Sequence, residues 1–484
     1  MSRFFNRKSI TGIAIVLALV AAFAGGIALR GSGVPARASG GSAQTTKSAF
    51  CSKLGHSIQA SAGAQMYCFG AQQNGPANAK HSLSRSYGTN VNAANPAEDQ
   101  APSGVQAYGQ SETSIAFAGQ YVVEAWNDAT SFFTACGAPM NKEEATGFGF
   151  SNNGGKSFTD LGGLPNTDCA NNLYGGDPSV EAYQVGGKTY FYISSLFNPT
   201  FANATDSRSH IAMAACVVNG SGSSATLNCS QPVIISSSAE CIQQPPFLPF
   251  CSFLDKDFLS IDPARGLLYA TFTEFGFATF PDDIELAVCD IGNGALGGTA
   301  AAPVCTNGGS GSATTPAAPY FVVAPADTVN FCEKEGAYPS VNRPTGDVYV
   351  AYEYNWASAL SAGPCSTVPV QESVNFIAKS CLTLPVASCT TPTNSTAVNI
   401  KSMQGAFIPG YNRFPMNDFP RIATSSKGTV SIVWNDTRFH PAGDILMQSF
   451  WLGSLHALSG PVVLDSDPGG WHFLPALRYA NSDG

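Results

Sequence analysis

Acidic side chains recur at matching places along this chain, each with an aromatic residue close by. Glu112, Asp177, Asp255, Asp257, Glu335 and Asp418 each lead into an apolar stretch, and Asp128, Glu274, Glu353 and Asp436 close the stretch that follows. Trp126, Tyr338, Tyr354, Trp356, Phe419 and Trp434 stand beside them, with Lys256, Lys334, Arg421 and Arg438 as counter-charges. Two carboxylates about 5–10 Å apart can cleave a glycosidic bond, one as acid and the other as base or nucleophile. Aromatic faces add platforms for a sugar ring. The same oxygens equally suit calcium. A plainer role is also open. Asp and Glu at strand ends commonly bond backbone amides and hold turns, and residues that recur in several units point to the fold.

The elements that carry these residues form a repeat. Six stretches share a short polar lead, a small residue or Pro, and an alternating apolar strand: 111–128, 176–195, 257–275, 337–355, 418–436 and 473–484. Alignment on Thr113, Pro178, Leu259, Pro339, Pro420 and Pro475 gives spacings of 65, 81, 80, 81 and 55 residues. Each copy reads strand, turn, strand, with Gly or Asn in the turn. A second hairpin follows in several copies, and three place a Cys pair across it. The prediction is an all-β fold, a six-bladed β-propeller of four-stranded antiparallel blades. A row of β-sandwiches is the rival. The sixth copy stops at Gly484, where its second strand should begin. Either residues 49–108 supply the missing strands, or the last blade is incomplete and the chain is a fragment.

Composition fits an exported all-β protein. Hydrophobic residues make up 44% and charged residues 12%, with 49 Gly and 31 Pro, which suits a large core, many turns and few long helices. Net charge is −9, and residues 1–38 hold five basic side chains and no acidic ones, so the rest stands at −14. An acidic body repels phosphate, which argues against a nucleic-acid partner. Residues 1–38 have a basic start, an apolar run from Ile13 to Leu29 and an A-x-A-like end, the layout of a signal peptide. The alternative is an uncleaved anchor, the chain's one predicted membrane contact. Residues 39–108 read as linker and N-terminal extension, and 109–484 as the propeller. A secreted or otherwise extracytoplasmic monomer follows. Its partner is a glycan, a glycoconjugate or a surface protein.

The 14 Cys suit disulfides in that compartment. The expected pairs are Cys51–Cys68, Cys136–Cys169, Cys216–Cys229, Cys241–Cys251, Cys289–Cys305, Cys332–Cys365 and Cys381–Cys389. Six His show no metal spacing and no phosphate loop occurs, so no metal site and no cofactor is expected, calcium being the one alternative.

After the first unit comes Ser151-x-Asn153-x-Gly155-x-Ser157-Phe158. It looks like an Asp box, S-x-D-x-G-x-[ST]-[WF], with Asn in place of Asp. With the DPSV-like strand starts, residues 110–484 resemble the sialidase-like (BNR/Asp-box) propeller superfamily. The resemblance implies a polar turn between third and fourth strands, with its aromatic in the blade core. It also implies an arginine triad for a substrate carboxylate, a Tyr nucleophile assisted by Glu, and an Asp acid/base. On this chain those roles fall to Asp257 or Asp418 as acid/base, to Tyr338 or Tyr354 with Glu353, and to Arg421 or Arg478 on the carboxylate. Asp177, Glu335 and Trp356 would line the mouth. The superfamily's first Arg lies in an R-I-P lead. Ser111-Glu112-Thr113 stands there, and the other leads hold Gly176, Asp257, Ala337, Asp418 and Phe473. No triad is visible. An exo-acting glycosidase and a non-catalytic binding or scaffold propeller both remain open.

Overall fold

The computed structural model describes residues 91–95, 111–128, 145–199, 208–239, 241–242, 250–276, 282–306, 320–356, 363–384, 388–403, 418–465 and 472–479. Two compact units divide the chain. One comprises 1–77 with 409–412 and lies outside the described residues. The other comprises 78–408 with 413–484. The expected signal segment at 1–38, the linker up to residue 90 and the Cys51–Cys68 pair also fall outside the described residues.

Within the larger unit, the described residues form five antiparallel sheets of four or more strands in chain order, and Cys241–Ile242 with Phe250–Cys251 form a separate two-stranded sheet. The first holds Ser111–Ala118, Tyr121–Asn127, Thr146–Ser151 and Thr159–Gly163 in sequential order. The second is built on Ser179–Val185, Lys188–Pro199 and His210–Asn219, and both Thr226–Cys229 and Val233–Ser237 pair with its third strand. The third holds Phe253–Asp262, Leu267–Phe275 and Asp283–Asp290, with Val304–Cys305 and Phe321–Ala324 both on Asp283–Asp290. The fourth holds Lys334–Asn342, Asp347–Tyr354, Gln371–Ile377 and Asn394–Asn399. The fifth holds Arg421–Thr424, Thr429–Asp436, Asp444–Trp451 and Val462–Val463. Among the described residues no helix is long and apolar enough to cross a membrane.

Burial explains why the second strand of each copy is so apolar. Side chains of a strand alternate between its two faces, and here both faces are covered. In the second sheet Phe191 and Ile193 pack with Val123, Phe148 and Phe150 of the first. Tyr190 and Tyr192 point the other way, to Leu268, Ala270 and Phe272 of the third. Leu267 and Tyr269 then meet Val348, Val350 and Tyr352 of the fourth, whose Tyr349 and Ala351 meet Ile432, Trp434 and Leu446 of the fifth. The second, third and fourth sheets are thus each sandwiched by their sequence neighbours, as blades are. The first strands adjoin as well. Val180 N donates to Ser114 Oγ (3.0 Å), Leu259 N to Ser179 Oγ (3.0 Å) and Thr424 N to Ser340 Oγ (3.0 Å). Residues 91–95 lie on the first sheet, with Ala93 buried and Asn95 N bonded to Asp160 Oδ2 at 2.6 Å.

Four predicted disulfides are present: Cys216–Cys229, Cys289–Cys305, Cys332–Cys365 and Cys381–Cys389. The first two join residues directly opposite on third and fourth strands. Cys169 and Cys251 are also disulfide-bonded, and Cys251 faces Cys241 in the strand register. Cys136 lies outside the described residues.

The turns after third strands are held by polar side chains. Ser151 Oγ accepts from Gly155 N (2.9 Å), Asn153 Oδ1 accepts from Ser157 N (3.1 Å), and Asn153 Nδ2 donates to Ser157 Oγ (2.7 Å). Phe158 is half-buried and stays outside the core between the first two sheets. The third sheet uses a stronger device at the same place. Buried Asp290 accepts from the amides of Gly292, Asn293, Gly294, Leu296 and Gly298 at 2.7–3.1 Å. Burial alone would raise this carboxyl. The amides outweigh it and hold it below its ordinary value. Its stabilisation is present above the unfolded pKa and is lost as pH falls through the native one. Asp290→Ala strands those amides, so urea titration at pH 7 should show a loss of about 2–3 kcal/mol that shrinks below pH 4.

Candidate functional site

The site begins with a bulge. In three first strands two residues face one across the ladder, between Ser111 and Ser114, Asp255 and Phe258, and Glu335 and Tyr338. The first extra residue takes a left-handed backbone: Glu112 (φ 53°), Lys256 (φ 53°) and Gly336 (φ 69°). Asp177 (φ 55°) and Leu474 (φ 52°) do the same in the second and sixth copies. Such a bulge re-aims its side chain. For Glu, Lys and Asp the conformation costs about 1–3 kcal/mol each, and strain of that kind clusters at functional sites.

The re-aimed side chains meet. Lys256 Nζ lies 2.8 Å from Glu112 Oε2 and 2.7 Å from Asp177 Oδ2. Burial, then hydrogen bonding to Asp177, pushes the Glu112 carboxyl up despite Lys256. Burial would lower Lys256, but four carboxylates, those of Asp177, Asp255, Glu112 and Glu335, outweigh it and hold the ammonium charged. Asn127 fixes Asp177, accepting its amide at 2.5 Å and donating to Oδ1 at 3.2 Å. Asn435 repeats this in the fifth sheet, accepting from Leu474 N at 3.4 Å. Both Asn sit in a Trp-Asn-Asp segment with a buried Trp. Gly336 has a second reason to lack a side chain. A Cβ there would lie 2.2 Å from the Phe419 ring.

The bulges also correct the alignment of the leads. Thr113 corresponds to Asp257 and Ala337, two residues before Leu259 and Pro339. In the fifth sheet Arg421 pairs with Val433, as Phe258 pairs with Thr271. Asp418 therefore matches Asp255, and Asp257 matches Pro420. Asp257 and Asp418 do not share a repeat position.

Both are fully buried. Asp257 accepts from Ser194 Oγ, and its Oδ1 has no partner. Burial, helped by Asp177 and Asp255, pushes it up to about 8. Asp418 accepts from Ser402 Oγ, Asn435 Nδ2 and Met403 N, the last at 3.0 Å. Burial pushes it up to about 7 against those bonds.

A row of three buried carboxylates crosses the fourth sheet. Glu335 faces Glu353, and Glu353 faces Glu372, on adjacent strands. Directly opposed like charges repel. Both oxygens of Glu353 and Glu372, and Oε2 of Glu335, have no hydrogen-bond partner. Burial first, and neighbouring carboxylates second, raise all three well above the ordinary range. Beside them Phe258, Tyr338 and Arg421, the first residues past the lead in three consecutive sheets, form a column. The Phe258 and Tyr338 rings stack, and Arg421 Cζ lies 3.7 Å over Tyr338. Burial pushes the Tyr338 hydroxyl up to about 12.

The structure thus gathers Asp177, Asp257, Glu335, Tyr338, Glu353, Asp418 and Arg421 at the lead end of the sheets. Tyr354, next to Glu353, takes the opposite face, where its hydroxyl donates to Asp327 at 2.5 Å and Lys334 lies 5.7 Å from its ring. Trp356 makes edge contacts to Phe275 and Phe419. Arg478 pairs with Glu181 at 2.8 Å, its side chain 74% exposed. Glu372 escaped notice in the sequence because third strands carry no lead motif. A groove of about 530 Å³ at the opposite, turn end is lined by Gln120, Asn152, Asn153, Lys156 and Ser223, without a carboxylate.

No protein-family model matches the chain, and no curated protein matches it. Similar solved structures include an α-L-arabinanase of Penicillium chrysogenum complexed with arabinobiose (12% identity, 80% of this chain and 89% of that one, TM-score 0.43). Others are a Hadza microbial sialidase (8% identity, 74% and 59%, TM-score 0.37) and a Trypanosoma rangeli sialidase in complex with sialic acid (10% identity, 74% and 51%, TM-score 0.36). Identities this low give no residue a role.

Proposed function

We propose that the chain is an exported six-bladed propeller that hydrolyses glycans at its lead end, with Glu112 as acid and Asp177 as the second carboxylate. One observation carries this reading: Lys256 holds both carboxylates on strained, re-aimed residues. Both accept from a single nitrogen, which keeps the two oxygens no more than about 5.5 Å apart, and the two carboxyls also hydrogen-bond each other, an arrangement in which one of the two favours the protonated form. Burial and the bond to Asp177 shift the Glu112 carboxyl upward, the direction a general acid requires. The half-buried Tyr338 ring and Arg421 offer a sugar platform and a cation. A hydroxyl pushed up to about 12 suits a platform better than a nucleophile. Asp257 and Asp418 stand as deeper acids of the same site. The left-handed Leu474 supports a sixth blade, and the disulfides support export.

The test is turnover of fluorogenic aryl glycosides, α-L-arabinofuranosides and sialosides among them. Glu112→Gln and Asp177→Asn should lower kcat by about 10²–10⁴-fold. Parent activity should fall as pH rises through the raised Glu112 pKa. Asp257→Asn and Asp418→Asn should shift that profile. Unchanged turnover in all four variants would sink the assignment. A binding propeller is the second reading, favoured by the placement of the arginines: Arg421 lies on the Tyr338 face and Arg478 on Glu181. Glycan-array binding without turnover would establish it.

A further inference from the structure

Two residues before the left-handed Leu474, His472 comes together with Asp444 and Asp465. One ligand atom from each lies within 4.8 Å of the others. Asp444 opens the third strand of the fifth sheet, and Asp465 follows its last strand. The backbone fixes both: Leu464 N bonds Ile445 O at 2.8 Å, and Ile445 N bonds Asp465 Oδ2 at 2.6 Å. His472 Nδ1 lies 3.2 Å from Gly443 O and 3.4 Å from Asp465 Oδ1. His440 Nδ1 lies 2.7 Å from Asp444 Oδ1.

A second observation points to a missing partner. Asp444 is fully buried, and its Oδ2 has no hydrogen-bond partner. A buried carboxylate oxygen without a partner is costly, and a second carboxylate beside it adds repulsion. A cation would satisfy both. The other cluster of this kind among the described residues, Glu274 with Asp283 and Glu285, contains no His. There Glu274 already accepts from Ala239 N and Ser252 Oγ.

We propose that Asp444, Asp465 and His472 bind a divalent transition cation of the zinc type, fastening the lead of the sixth copy to the fifth sheet. One imidazole and two carboxylates leave an open position, as zinc accepts. Calcium takes six to eight oxygens and no imidazole. His440 serves as the outer partner that orients Asp444. The cation sits beside the Leu474–Asn435 contact, so it stabilises the point where the chain turns into its sixth copy.

The experiment uses the full chain, stripped with chelator and titrated with ZnCl2, MnCl2 and CaCl2 by calorimetry, with thermal melts alongside. The parent should take up one zinc and melt at a higher temperature with it. Asp465→Asn and His472→Gln, checked for cooperative melting without metal, should bind at least ~100-fold more weakly, and His440→Ala about 10–100-fold more weakly. His456→Gln, outside the cluster, should match the parent. Absence of uptake by the parent would overturn the proposal. So would equal uptake by Asp465→Asn and His472→Gln, or calcium bound in preference to zinc.

Discussion

A Lys256→Met protein should be less stable than the parent at pH 7 by about 3–5 kcal/mol, a large share of a domain's total stability. The methionine fills similar volume, so the loss isolates the charge. Lys256 is 11% exposed, and its partners Glu112 and Asp177 are 20% and 16% exposed, too little for water to replace the ammonium. Asp255 and Glu335 also act on it. Removing the cation leaves clustered carboxylates repelling one another. The sign of the pH effect follows. The carboxyls of the variant should titrate higher than those of the parent, so its deficit should be largest above pH 7 and shrink as acid neutralises them. Urea titrations of both proteins at pH 7.5 and pH 4.5 measure this directly. A deficit independent of pH would mean that lost packing, not charge, is responsible.

The fold was legible where one strand shows its pattern on both faces. Val348, Tyr349, Val350 and Ala351 are all buried because a sheet lies on each side. That makes second strands conspicuous and exposes the repeat. Local Cys spacing was legible for a similar reason, since Cys216–Cys229 and Cys289–Cys305 each bridge adjacent strands. The bulges were not legible. An inserted residue leaves no periodic mark, so Leu259 and Pro339 align two positions late, and Asp257 is mistaken for the equivalent of Asp418. Nor does sequence show that Glu112 and Lys256 adopt a backbone usually left to Gly. The acid-rich leads do lie together at one end of the sheets. The grip of Lys256 on the first two leads depends on that backbone. The cluster at Asp444 and His472 depends on the return of the last described segment, which no spacing encodes.

Glu353→Gln should stabilise the protein above neutral pH, against the usual trend that substitutions at buried sites destabilise. Glu335, Glu353 and Glu372 are directly opposed, buried and raised in pKa, with both oxygens of the central residue unpartnered. In the unfolded chain each loses its proton near pH 4.3. In the native chain each keeps it well beyond that. The native state therefore binds more protons above pH 4.3, and stability must fall as pH rises toward the raised native pKa values. The cost is at most about 1.4 kcal/mol per pH unit for each group, or about 2–3 kcal/mol between pH 5.5 and 7.5. Glutamine keeps the shape and removes the titration, and its amide can donate to Glu335 or Glu372. Parent stability, read by urea titration from pH 5 to 8.5, should decline steeply. Glu353→Gln should flatten the curve and cross above the parent at the alkaline end, and Glu353→Gln/Glu372→Gln should flatten it further. A parent curve that rises with pH through this range would refute the protonated row. Confirmation would show that the fourth sheet carries a destabilising feature that its own packing does not need, at the end of the sheets where Lys256, Arg421 and Tyr338 are assembled.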